Sequence, residues 1–345
     1  MLRAEFQLST PAFIGGALAS ERAAPADSQV ALRMGPLIGQ IRRWWWDWAD
    51  RASGLSDDER NRLGTALFGA AAGSNTGGQG AFLLRLTAIG PGLGPYPRDS
   101  AFQQSKVPNT LANCETWYGP LWTRRHNVIW AARDEERRFT VEAIPRPRLP
   151  TDWQFPRERL MDEMGRGLTL LGLLGGVGSG NRRGFGALAL TSLAREGTAV
   201  FRAPTSSVEY ARALCAAWAA APEAQRNGSL PDIDYVTLTV ASGTDVLALC
   251  GTQLASVPAA ASLHPQMRIA ILSDQTSSKR RPSPVIFHPH PLVGQSGQPS
   301  PFLLACTTLD DRPCPATPHI RALNAAVSSG WTTLACNHRA SGGAG

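Results

Sequence analysis

Two arginines and a cluster of tryptophans share one short stretch, Ile41-Arg42-Arg43-Trp44-Trp45-Trp46-Asp47-Trp48. From Met34 the apolar positions fall at 34, 37, 38, 41, 44, 45 and 48, the three-and-four spacing of one helix face reaching to about residue 51. Arg42, Arg43 and Trp46 fall off that face, with Trp46 four residues from Arg42 and three from Arg43, so the three are neighbours on the helix surface. Guanidinium groups hold phosphate, and an indole plane stacks a base for about 1 to 3 kcal/mol, a pairing suited to an unpaired nucleic acid strand. A second reading stays open, in which Trp46 is buried against a loop and the arginines pair with Asp47 and Asp50.

The segment Gly175 to Gly186, GGVGSGNRRGFG, has six glycines in twelve residues. A P-loop needs GxxxxGK[ST], and here Gly175 and Gly180 are followed by Asn181-Arg182, with neither the lysine nor the hydroxyl. Nucleotide motifs also run from strand through loop to helix, whereas this one runs from helix through loop to strand, so no helix N-terminus follows to receive a phosphate. What remains is a backbone, at Gly178, Gly180, Gly184 and Gly186, that a polymer can approach closely, with Arg182 and Arg183 to neutralise phosphates and Phe185 as a further stacking ring. The bland alternative is a tight connection whose arginines are merely solvated. Lys279-Arg280-Arg281 adds three adjacent cations ahead of an apolar strand, a run that is either solvated surface or a further RNA contact.

Catalytic and metal patterns are scarce. Of six histidines only His126, preceded by Arg124 and Arg125, has the setting of a metal-independent ribonuclease base. Cys314, His319, Cys336 and His338 match no common zinc spacing, and no GxSxG or HExxH occurs, so neither a metal site nor a cofactor is expected. The cysteines (114, 215, 250, 306, 314 and 336) form no CxxC pair and predict reduced thiols. The charge is an arginine charge: Lys106 and Lys279 are the only lysines in a chain of 345 residues with net charge +7, which puts a polyanion among the expected partners. No leader and no apolar run long enough to span a membrane are seen, and a cytoplasmic protein is expected.

The elements that must position these residues can be read in order. Strands are expected at 2–9, 81–89, 137–144 and 187–193, and helices at 34–51 and about 160–174, with Pro156 near the start of the second. Residues 90–137 are expected to hold a Pro- and Gly-rich insertion. Strand, helix, strand, strand, helix, strand is the ferredoxin-like order also used by RNA-recognition folds. A helix at 206–220, strands near 233–241, 245–250, 267–273, 284–288 and 301–309, and a helix near 318–328 suggest a second such unit. The expected fold class is therefore α+β, with ferredoxin-like domains at 1–196 and 197–330 and a flexible tail at 331–345.

Leu174 to Gly186, ending Arg183-Gly184-Phe185-Gly186, resembles the glycine-rich loop of the RAMP superfamily of CRISPR-associated proteins. Thr10 to Ala17, Gly39 to Trp46, Leu67-Phe68-Gly69 and Lys279 to Pro284 are similar to segments of the first-subunit family of the Cmr (type III-B) effector complex. The likeness covers roughly residues 1–195 and thins beyond them. It implies two ferredoxin-like domains and a non-catalytic subunit that binds the CRISPR RNA near its 3′ end, beside target single-stranded RNA and other effector subunits, in antiviral defence. An endoribonuclease of the same superfamily, processing CRISPR transcripts with His126 as general base, is the alternative.

Overall fold

The computed structural model describes residues 1–10, 12–14, 32–70, 78–93, 128–129, 133–147, 155–178, 181, 184–218, 233–238, 271–273, 280–282, 285–293, 302–308 and 332–334. In chain order the main elements are β1 (Leu2–Leu8), β2 (Ala12–Phe13), α1 (Met34–Arg51), α2 (Asp57–Phe68), β3 (Phe82–Thr87), β4 (Val128–Ile129), β5 (Arg138–Pro145) and α3 (Arg157–Leu174). There follow β6 (Leu188–Arg195), β7 (Thr198–Arg202), α4 (Ser207–Trp218), β8 (Ile233–Leu238), β9 (Ile271–Ser273), β10 (Arg280–Pro282), β11 (Val285–Pro291), β12 (Phe302–Thr308) and β13 (Thr332–Leu334).

The first sheet is antiparallel, in the order β3-β5-β1-β6-β7. Its centre is β1, where Leu2, Ala4, Phe6 and Leu8 alternate onto one face and are all buried. Phe6 stands opposite Phe139 of β5, and the two rings stack with centroids 5.4 Å apart. The other face carries charge, including an Arg85–Glu142 pair at 2.5 Å between residues directly opposed on β3 and β5.

A second sheet has the order β11-β12-β8-β13. Matched by position in the chain, this repeats the β3-β5-β1-β6 order of the first sheet. The expected strand at 245–250 and helix at 318–328 lie outside the described residues, as do His126, Cys314, His319, Cys336 and His338 and most of the insertion. The mixed α/β architecture with antiparallel sheets agrees with the sequence. The expected boundary at residue 196 falls on the β6–β7 turn, where Glu196 and Gly197 have φ of 51° and 87°, and β7 still pairs within the first sheet.

Three differences from the sequence reading have physical causes. Helix α2 was not expected, yet Ser56 and Glu59 form a reciprocal capping box at its start, with Asp57, Asp58 and Glu59 in the first turn. Strand β7 is short and mostly exposed, so it carries no apolar pattern to read. Cys215 on α4 is disulfide-bonded, which corrects the reduced-thiol expectation: bonding depends on proximity in space, and sequence spacing does not report it. No helix among the described residues is long and apolar enough to cross a membrane.

Helix α3 is buried along nearly its whole length and holds the layers together. A Cβ on Gly172 would come 2.3 Å from the Cβ of Leu190 on β6, and one on Gly167 would come 3.1 Å from the Cγ2 of Ile41 on α1. Gly165 has only ordinary contacts, at 3.8 Å or more. Gly172→Ala is therefore expected to destabilise the fold by about 1 to 3 kcal/mol in urea unfolding through overpacking. Gly165→Ala, on the same helix, should be neutral or stabilising by up to about 1 kcal/mol, because alanine favours helix.

Candidate nucleic-acid interface

Helix α1 buries Leu37, Ile41, Trp44, Trp45, Trp48 and Ala49, close to the face its spacing predicts, and leaves Met34 and Ile38 half-buried. Arg42 is exposed and forms no ion pair among the described residues. Arg43 is half-buried, 3.5 Å from Asp47, with its guanidinium 5.7 Å from the centre of the Trp44 ring. Burial draws the Arg43 guanidinium below its ordinary pKa, and Asp47 opposes that shift.

Trp46 lies over α2. A Cβ on Gly64 would come 2.4 Å from its ring, and Trp46 meets Trp45 edge-on with centroids 5.2 Å apart. The indole thus serves the α1–α2 contact.

The described part of the glycine-rich segment leaves α3 at Gly175, against the Trp44 indole: a Cβ there would come 2.5 Å from Trp44 Nε1. Helix α1 and the glycine-rich segment are thus in direct contact, with Trp44 between Arg43 and the loop. The loop is then closed by backbone. Val177 N–H donates to the Gly186 carbonyl at 2.8 Å, Leu188 N–H to the Gly175 carbonyl at 3.1 Å, and the Asn181 side-chain amide to the Gly176 carbonyl at 3.1 Å.

Thr10, whose role the sequence did not reveal, ties the loop to the end of β1. Its hydroxyl donates to the Gly184 carbonyl at 2.5 Å and accepts from Ala187 N–H at 3.0 Å. A hydroxyl residue directly after an alternating strand was the available signal, but its partners stand more than 170 residues away along the chain.

The glycines act differently from the sequence expectation. Gly178, Gly184 and Gly186 have φ of 82°, 87° and 60°, so a left-handed backbone requires them. A Cβ on Gly186 would come 2.0 Å from the Val177 carbonyl oxygen, and Gly184 and Gly186 are both buried. Close approach at Gly186 is between the two limbs of the loop. Phe185 is fully buried, so it presents no ring for a base to stack on; flanking glycines that turn the chain inward carry this aromatic into the core. Gly180, Arg182, Arg183 and Lys279 lie outside the described residues, while Arg280 and Arg281 fall on β10, paired with Ser273 and Leu272 of β9.

No family model matches the chain, and no curated protein matches it. Among solved structures it is similar to Cmr1 from Pyrococcus furiosus in its apo form, with 13% identity over 96% of this chain and 98% of that one, at a TM-score of 0.55. It is also similar to a chain of the type III-B Cmr-beta complex bound to cognate target RNA, at 11% identity, 94% and 99% coverage and a TM-score of 0.56. A further structure of that complex, with target RNA, AMPPnP and ssDNA, gives 11% identity, 95% and 98% coverage and a TM-score of 0.57. The chain shares the fold of these proteins along nearly its full length, and the likeness read from its motifs holds at that level.

The loop closure can be tested directly. Thr10→Val removes a donor and an acceptor from two buried backbone groups, and is expected to cost about 1 to 3 kcal/mol. Hydrogen exchange at the Ala187 amide should accelerate, while amides in the β1–β5 pairing keep their protection.

Proposed function

We propose that this chain is a non-catalytic, RNA-binding subunit of a type III CRISPR effector complex, cytoplasmic and built of two ferredoxin-like domains. The observation that carries the proposal is the meeting of α1 with the glycine-rich loop at Trp44 and Gly175, which brings two arginine-bearing segments, distant in sequence, into contact. The shared fold supports it, since two of the similar chains belong to a Cmr complex described as bound to cognate target RNA. The common strand order of the two sheets supports the two-domain plan.

In this mechanism Arg42 on α1, with Arg182 and Arg183 next to Gly184, holds the phosphates of a single RNA strand, the CRISPR RNA near its 3′ end or the target. Arg43, held by Asp47 and Trp44, contributes a positioned positive charge beside them. Lys279, Arg280 and Arg281 are further candidates for phosphate contact. Other effector subunits complete the channel.

Fluorescence anisotropy with a labelled single-stranded RNA, over a range of salt, tests the proposal. The triple variant Arg42→Ala, Arg182→Ala, Arg183→Ala should bind more weakly and lose about 2 units from the slope of log affinity against log salt, since each lost phosphate contact removes about 0.7. Unchanged affinity and slope would sink the proposal. Cleavage of repeat RNA in chelator that vanishes in His126→Ala would replace it with the endoribonuclease.

A further inference from the structure

His288 and His290 stand two apart on β11, and strand geometry sends both side chains to one face. Both are buried, with relative exposures of 2% and 0%. His288 Nε2 and His290 Nδ1 are 3.4 Å apart. His288 faces the backbone of Gly175 and His290 that of Gly172.

Those two glycines bracket the last turn of α3, where helix carbonyls run out of intrahelical partners. A further polar contact of that turn comes from α4. Tyr210 of α4 donates its hydroxyl to the Leu173 carbonyl at 2.5 Å, and its ring lies 4.9 Å from that of His290. The end of α3 is therefore met by Leu188 of the first sheet, which donates to the Gly175 carbonyl, and also by two histidines of the second sheet and a tyrosine of α4. Gly175 is also the residue that rests on Trp44 and from which the glycine-rich loop departs.

We propose that His288 and His290 are positioning residues for the RNA interface: they clamp the last turn of α3 from the second sheet and so fix where the glycine-rich loop leaves the helix. The inference rests on the RNA-binding function proposed above. It makes the loop's grip on RNA conditional on β11 being docked, so that anything shifting the second sheet is felt at the loop. Burial pushes both imidazoles down, His290 to about 3, and the described ionisable group facing the pair is Tyr210, whose own pKa burial raises. The rings are thus neutral through the neutral pH range, and the clamp is set by geometry rather than by titration.

The test uses the full chain. Hydrogen exchange is followed at the Val177 and Leu188 amides, which bond to Gly186 and Gly175, alongside anisotropy with labelled single-stranded RNA. His288→Leu with His290→Leu should weaken RNA binding about tenfold with an unchanged salt slope, and should speed exchange at those two amides while the β1–β5 amides keep their protection. His288→Gln, which retains a side-chain N–H donor, should restore affinity to within about twofold in an otherwise native chain. Should the double variant fail to fold, His290→Asn carries the same measurements.

Wild-type affinity in the Leu variants would overturn the clamp, as would protection lost equally throughout β1 and β5, the mark of a purely structural role. If the unmodified chain shows no salt-dependent RNA binding, the proposed function falls separately. Exchange at the loop amides then decides the clamp alone: acceleration confined to the loop sustains it, and unchanged protection overturns it.

Discussion

Helix α3 lets its neighbours approach its backbone at three glycines, and this absence of a side chain at those points is the constraint on which the rest depends. At Gly172 the helix sits so close to β6 that a methyl group would overlap Leu190, at Gly167 it closes on Ile41 of α1, and at Gly175 it meets the Trp44 indole. Such contacts fix the helix along its axis as well as in depth, because each glycine admits one particular partner. Polar groups reinforce the seam. Trp45 Nε1 donates to Glu163 at 3.0 Å, and Arg166 covers the Trp48 ring at 4.2 Å while donating to the Ala217 carbonyl at 2.6 Å. Burial raises the Glu163 pKa, with Arg166 and Trp45 opposing the shift, as is typical of a carboxylate held inside a helix interface.

That placement of α3 decides what the glycine-rich loop can be. Its carbonyls at 175, 176, 184 and 186 already accept from Leu188, Asn181, Thr10 and Val177. A loop whose described carbonyls are used internally is a strap between helix and strand. Glycine is needed because the two limbs nearly touch and because three residues sit at positive φ. The same closure pulls Phe185 into the core, although in sequence it looks like an exposed ring beside two arginines.

How much of this could be read in advance depended on the distance over which each signal acts. The buried face of α1 was legible because its period is local, and so were β1, β3, β5, α3, β6 and α4, whose apolar runs are bounded by Gly, Pro or polar residues. Helix α2 was legible in principle from Ser56 and Glu59, yet its apolar face is weak. The partners of Trp46, Thr10, His288 and His290 were not, since each meets a residue brought near only by tertiary packing. Residue type told what these groups can do, and topology alone told to whom. The glycine segment shows the same split: its composition announced close approach, while the identity of the approaching group came only from the fold.

The two aromatic rings that a stacking site would have used are both committed to packing, Trp46 on Gly64 and Phe185 in the core. What the interface retains is cationic: Arg42 is exposed on α1, and Arg43 is held in place by Asp47 and Trp44. Such a surface would, under the proposed function, read the phosphate chain and its path, since phosphate contacts set register and orientation without distinguishing bases. Under the proposed function that is a suitable division of labour, because in RNA-guided effectors base pairing with the guide carries the sequence information and protein holds the backbone. Arginine on a rigid support suits the task better than lysine on a mobile one, because its planar fork, once oriented, gives up less freedom for each phosphate oxygen it binds. The rigidity supplied by α3 and the near-absence of lysine are then two aspects of one design: charge fixed in space by a scaffold that glycine allows to pack closely.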